Sequence, residues 1–156
     1  MNNSKDLANR FREVTLSGKL IAFTNYQEQL NNTSFKEANY KVGKLNTIAA
    51  LTFHIDYYVK GVLDVLKGGD LTIKDQFSFD MPPLNSEADW YELRNTFIIN
   101  AEEFAKEIEA LPEDIWDKDF VNPKYGTYQR NIEAMIEHCY YHFGQIVILK
   151  KLIPSD

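Results

Sequence analysis

Between Thr47 and Gly68 the residues Ile48, Leu51, Ile55, Tyr58, Val62 and Val65 recur at alternating steps of three and four. That period is the stripe an α-helix lays against its neighbours, and it is incompatible with the two-residue alternation of a strand. Its ends are marked too. Asn46 or Thr47 can cap the free N–H groups of the first turn, and Gly68-Gly69 can take the left-handed conformation that closes a helix. A one-sided stripe of this length has to be buried against other helices, so the expected class is an all-α bundle.

The rest of the chain supplies the other helices. Leu7, Phe11, Val14, Ile21, Tyr26 and Leu30 fall near helical spacing from about Ser4 to Leu30, with Ser17-Gly18 as the point where such a helix can break or kink. "NNTSFKEANYKVGK" reads as a connection holding at most one short turn, for which Ser34 and Glu37 form a capping box. "DLTIKDQFSFDMPPLN" lacks helical period and contains Pro82-Pro83, so it is expected to be a long crossover. A connection of that length allows the following helix to run in either direction. Ser86 with Asp89 caps a helix expected to reach Ala110, and Thr127 caps a last one from about Tyr128 to Leu152. The expectation is one four-helix-bundle domain over residues 1–156, with the crossover between helices two and three.

Composition narrows function by exclusion. A formal charge of −6 and a pI near 5.1 are the wrong sign for neutralising phosphates, so neither nucleic acid nor an anionic membrane surface is an expected partner. A single cysteine, Cys139, can form neither an internal disulfide nor a cysteine-rich zinc knuckle. "MNNSKDLANR" has no apolar signal-peptide core, and no run is long and apolar enough to span a bilayer, so a cytoplasmic location is expected.

The chemistry-bearing residues are three histidines, and all three fall on helices. In "EHCYYHFGQ", His138 and His142 stand four apart, about 6 Å of rise and 40° of azimuth, so both imidazoles can reach one ion. His54 lies roughly 60° from the centre of the second helix's stripe, a flank from which it can face a shared pocket. Buried imidazoles without partners are costly, which makes three inward or flanking histidines a candidate ligand set. Three His with one open position is the composition of a catalytic zinc-type centre, although imidazole equally suits Ni²⁺, Cu²⁺ or Fe²⁺. The alternative is hydrogen-bonded core histidines. Cys139, about 100° round from His138, is not an expected ligand, and it stands where a zincin would need its glutamate. No glutamate lies three residues before any of the histidines, which argues against the di-iron pattern. Glu137 and Arg130 are expected at the solvated rim.

These features together resemble the DinB/YfiT-like superfamily of four-helix-bundle metalloproteins. The resemblance rests on "AALTFHIDYY" around His54 and "HCYYHFGQ" around His138 and His142, and it extends over nearly the whole chain. It implies that His54, His138 and His142 hold Zn²⁺ or Ni²⁺ and that Gly144 and Gln145 match the small residue and glutamine following the family's last histidine. It also implies a homodimer, and a metal-dependent enzyme such as a thiol-dependent S-transferase using a low-molecular-weight thiol; from the metal's chemistry alone, a bound hydroxide in place of the thiolate would give hydrolysis of a small-molecule substrate as the other reaction. A non-enzymatic metal- or small-ligand-binding bundle is the alternative.

Around such a centre, Tyr58, one turn past His54, and Gln145, three residues past His142, are candidates for the pocket or for supporting the ligands. No side chain outside the histidines presents itself as a general base. Trp90, Trp116, Tyr140 and Tyr141 are expected in the core or an oligomer interface.

Overall fold

The computed structural model describes residues 3–154, which among themselves form six α-helices and no β-strand. These are α1 (Asn3–Arg12), α2 (Tyr26–Asn31), α3 (Phe35–Ala38), α4 (Ile48–Leu66), α5 (Glu87–Ala110) and α6 (Tyr128–Leu152). The caps read from the sequence are in place. Thr47, Ser86 and Thr127 each accept a bond from the N–H three residues on, and the Ser34–Glu37 capping box is complete. Gly68 takes φ +88°, a conformation that excludes most side chains, as the chain leaves α4.

The expected first helix is not continuous to Leu30. α1 passes into a single π turn over Glu13–Ser17 and ends at Gly18, where the backbone becomes extended. Asn25 then restarts the helix as α2: its side-chain amide donates to the Gly18 carbonyl at 3.1 Å and its Oδ1 accepts from the Glu28 N–H at 2.9 Å. Ile21, expected on the buried face, is consequently 65% exposed beside Leu20 and Phe23.

Cross-links between helices fix the directions. Asp56 of α4 and Lys67, the residue that ends it, reach Asn100 and Glu103 of α5, so the two run the same way, as only a long crossover permits. Ser4 bonds the Leu111 carbonyl while Phe11 meets Phe104, so α1 opposes α5. Asn3 meets Gln129 at the start of α6, and α6 therefore runs with α1 and against α4. One core joins all four, with Phe11, Tyr26, Ile55, Trp90, Phe97, Phe104 and Ile146 fully buried. Trp90 satisfies its indole N–H on the Thr33 carbonyl at 2.7 Å. Trp116 is also buried, Tyr140 is half-buried, and Tyr141 is exposed.

Candidate metal centre

The α4 stripe turns Ile55, Val62 and Val65 into the core and leaves His54 on the flank facing α6. From the opposite side, His138 and His142 project one turn apart. The three rings close into a cluster with centroids 4.6, 4.7 and 5.1 Å apart, each pair inclined by about 75°. Their potential ligand atoms all lie within 4.8 Å of one another. His54 and His142 are each 7% exposed, and His138 is half-buried at the edge.

Hydrogen bonds decide which nitrogens face inward. His54 Nδ1 lies 3.3 Å from the Ser78 carbonyl oxygen and His142 Nδ1 lies 2.7 Å from Gln145 Oε1. The Ser78 carbonyl can only accept, so His54 Nδ1 carries the proton and its Nε2 presents a lone pair to His138; Gln145, with its Oε1 turned to His142 Nδ1, favours the same tautomer there. His54 Nε2 sits 3.3 Å from His138 Nε2. A proton on His138 Nε2 can bridge that pair, and a divalent ion can take the proton's place. At Zn–N distances of 2.0–2.1 Å, two ligands at a tetrahedral angle are about 3.3–3.4 Å apart, which is the separation of this pair.

The electrostatics favour neutral imidazoles. Burial, then the neighbouring His142 and His54, push the pKa of His138 down to about 4. Burial also lowers His54 and His142, with His142 adding to the effect on His54 and the Gln145 hydrogen bond opposing it at His142. Neutral histidine is the form that binds metal.

The crossover builds the wall that the sequence did not reveal. Three aromatic positions of α4 fasten residues 74–79 onto the helix. Tyr57 Oη donates to the Lys74 carbonyl at 3.0 Å and accepts from the Lys74 N–H at 2.8 Å. Tyr58 Oη donates to Asp75 Oδ1 at 2.9 Å, and His54 donates to Ser78 while Phe79 stacks on its ring at 4.1 Å and 12°. Asp75, Ser78 and Phe79 therefore belong to the site, yet no periodicity or motif singles them out. The one available signal was the length of a connection that has to be ordered to satisfy its own polar groups.

The structure places the other candidates plainly. Tyr58 packs edge-on against His54 and His138, with centroids 5.1 and 5.2 Å away, and burial followed by its bond to Asp75 raises its pKa. Gln145 supports His142 directly. Cys139 faces the core, where burial pushes its thiol pKa well up, and it lies outside the histidine cluster. Its carbonyl accepts from Tyr26 Oη at 2.8 Å, tying α2 to α6 beside His138. Glu137 pairs with Arg130 at 3.0 Å on the exposed rim. Gly144 has open space around its missing Cβ, so packing does not demand a glycine there.

Compared with known proteins, the chain matches no family model, no curated protein and no solved structure. No described helix is long and apolar enough to cross a membrane.

Proposed function

We propose that the chain is a metal-dependent enzyme of DinB-like four-helix-bundle type, with His54, His138 and His142 as the ligands of one divalent ion, Zn²⁺ or Ni²⁺ by ligand chemistry. The observation that carries the reading is the convergence of Nε2 lone pairs, two of them fixed by Nδ1–H bonds to Ser78 and Gln145. Core histidines need hydrogen-bond partners, but they do not need three rings aimed at one point.

When bound, the ion supplies Lewis acidity, which makes water or a thiol a nucleophile at neutral pH. The chain's own residues then have separate tasks. His54 and His142 are held in one tautomer, and Phe79 shields His54 from solvent on one ring face. His138, the half-buried member, opens onto a cavity in which an electrophile can approach. The Tyr58–Asp75 pair sets a hydroxyl and a carboxylate beside that opening, which are the polar groups a transferase or hydrolase would use to orient a substrate.

Zinc titration against a chromophoric chelator tests the assignment. The intact protein is expected to take up one ion per chain, and His54→Ala, His138→Ala and His142→Ala are each expected to lose it while keeping their helical circular dichroism. Equal uptake by all four proteins would refute the ligand set. Turnover of thiol-plus-electrophile pairs or of ester substrates by the loaded protein then separates the enzyme from a metal-binding bundle.

A further inference from the structure

Beside His138 lies a cavity of about 300 Å³ between α4, α6 and the two long connections. Its apolar walls are Val62, Leu71, Ile73, Phe120, Ala134 and Met135. Polar groups enter in two places besides Tyr125, which completes the lining with Lys124 Nζ 4.7 Å from its ring centroid. Tyr58, Asp75 and His138 cluster at the end next to the histidines. Asn131, two helical turns before His138, stands further along α6 with its amide committed to the carbonyls of Tyr125 and Thr127, both at 2.8 Å. No lysine or arginine lines the cavity, and its one carboxylate is that of Asp75.

Size and charge restrict what can fit. An apolar cavity of about 150 Å³ holds a benzene ring, so twice that volume takes one ring with a short chain, at the lower limit of ordinary ligand pockets. Along the walls away from the ion, where no lysine or arginine lines the cavity, a carboxylate would be desolvated without a partner, which is costly. We propose that this cavity is the substrate pocket of the metal centre and takes a small aryl or alkyl compound, uncharged in its body, whose single donor or electrophilic atom points to the open side of His138. The inference rests on the metal-centre reading above. It assigns to the walls from Val62 to Met135 a selectivity that the histidines alone do not have.

The test uses the full-length protein loaded with Co²⁺, whose visible spectrum reports ligand entry without requiring turnover. Phenylmethanethiol and its ring 4-carboxylate offer the same sulfur donor on an apolar and an anionic body, the carboxylate being too far from the sulfur to chelate the ion. Phenylmethanethiol is expected to bind at least about tenfold more tightly. Met135→Trp, which fills the cavity, should abolish that preference while methanethiol still perturbs the spectrum; Ala134→Leu is the milder variant should the first fail to fold. Equal affinity for the two thiols, or a preference unchanged in the filled variants, would overturn the inference while leaving the metal centre standing. Absence of Co²⁺ uptake would overturn the metal-centre reading and this inference with it.

Discussion

Gln145→Met removes the acceptor of the His142 Nδ1–H and keeps the length and most of the volume of the side chain. The intact bond is 2.7 Å long and its histidine is 7% exposed, so the bond is short and largely shielded. Two effects follow. Without metal, a buried donor loses its partner, which costs about 1–3 kcal/mol of stability, towards the lower figure here because Gln145 also borders a cavity of about 370 Å³ that admits water. With metal, the proton of His142 is no longer held on Nδ1, and the tautomer that blocks Nε2 becomes accessible. Losing such a partner typically weakens metal binding 10- to 100-fold, or about 1.4–2.7 kcal/mol. Chelator competition at neutral pH measures the second effect and urea denaturation of the metal-free protein the first. Gln145→Glu restores an acceptor and is expected to recover affinity. If Gln145→Met binds zinc like the parent, or if the Glu variant is equally impaired, the assigned role of Gln145 is refuted.

Other consequences are open to measurement. Burial raises the carboxyl of Asp56 to about 6, opposed by the Asn100 amide at 2.8 Å and by Lys60, so its stabilising contribution is full below the unfolded value near 3.8 and is lost as pH rises through 6. Asp56→Asn should therefore stabilise the protein at mildly alkaline pH by about 1 kcal/mol, discounted for partial exposure, and by little in mild acid; equal denaturation midpoints at both ends would contradict this. His138 has the opposite sign: its pKa is depressed from 6.5 to about 4, so the metal-free protein should lose stability as pH falls across that window, and His138→Gln should flatten the loss. Tyr26→Phe deletes a buried bond to the Cys139 carbonyl and should cost about 1 kcal/mol in denaturation without changing zinc stoichiometry. A Cβ on Gly61 would meet Ile73 Cγ2 at 2.5 Å, so Gly61→Ala should push the crossover off α4 and raise amide exchange over residues 71–78, whereas unchanged protection would show that Ile73 adapts in place.

What could be read from the sequence was what is local. Thr47, Ser86 and Thr127 cap their helices through side chains three residues from their partners, and the stripe from Ile48 to Val65 repeats every turn. The histidine cluster was legible for the same reason, since His138 and His142 share a face by helical period and the bundle had only one other histidine to place. The π turn and Gly18 break were only half visible. Ser17-Gly18 marks a weak point, but Ile21 keeps the spacing of a helix it does not join, because Asn25 stabilises a fresh start through bonds that no apolar pattern encodes. The wall formed by Asp75, Ser78 and Phe79 was not legible at all. It depends on a backbone carbonyl reaching His54 from 24 residues away and on where two tyrosines of α4 catch a loop without periodicity. The parallel course of α4 and α5 was likewise left open by a crossover long enough for either direction.

The most direct test of a three-histidine centre is X-ray absorption fine structure of the zinc-loaded protein, which counts ligands by element and distance. Three nitrogen scatterers with imidazole multiple scattering at about 2.0–2.1 Å, one or two further light atoms and no sulfur shell are predicted. A sulfur shell near 2.3 Å, which would require Cys139 to leave the core, or fewer than three imidazoles, would contradict the arrangement of His54, His138 and His142 on which the account depends.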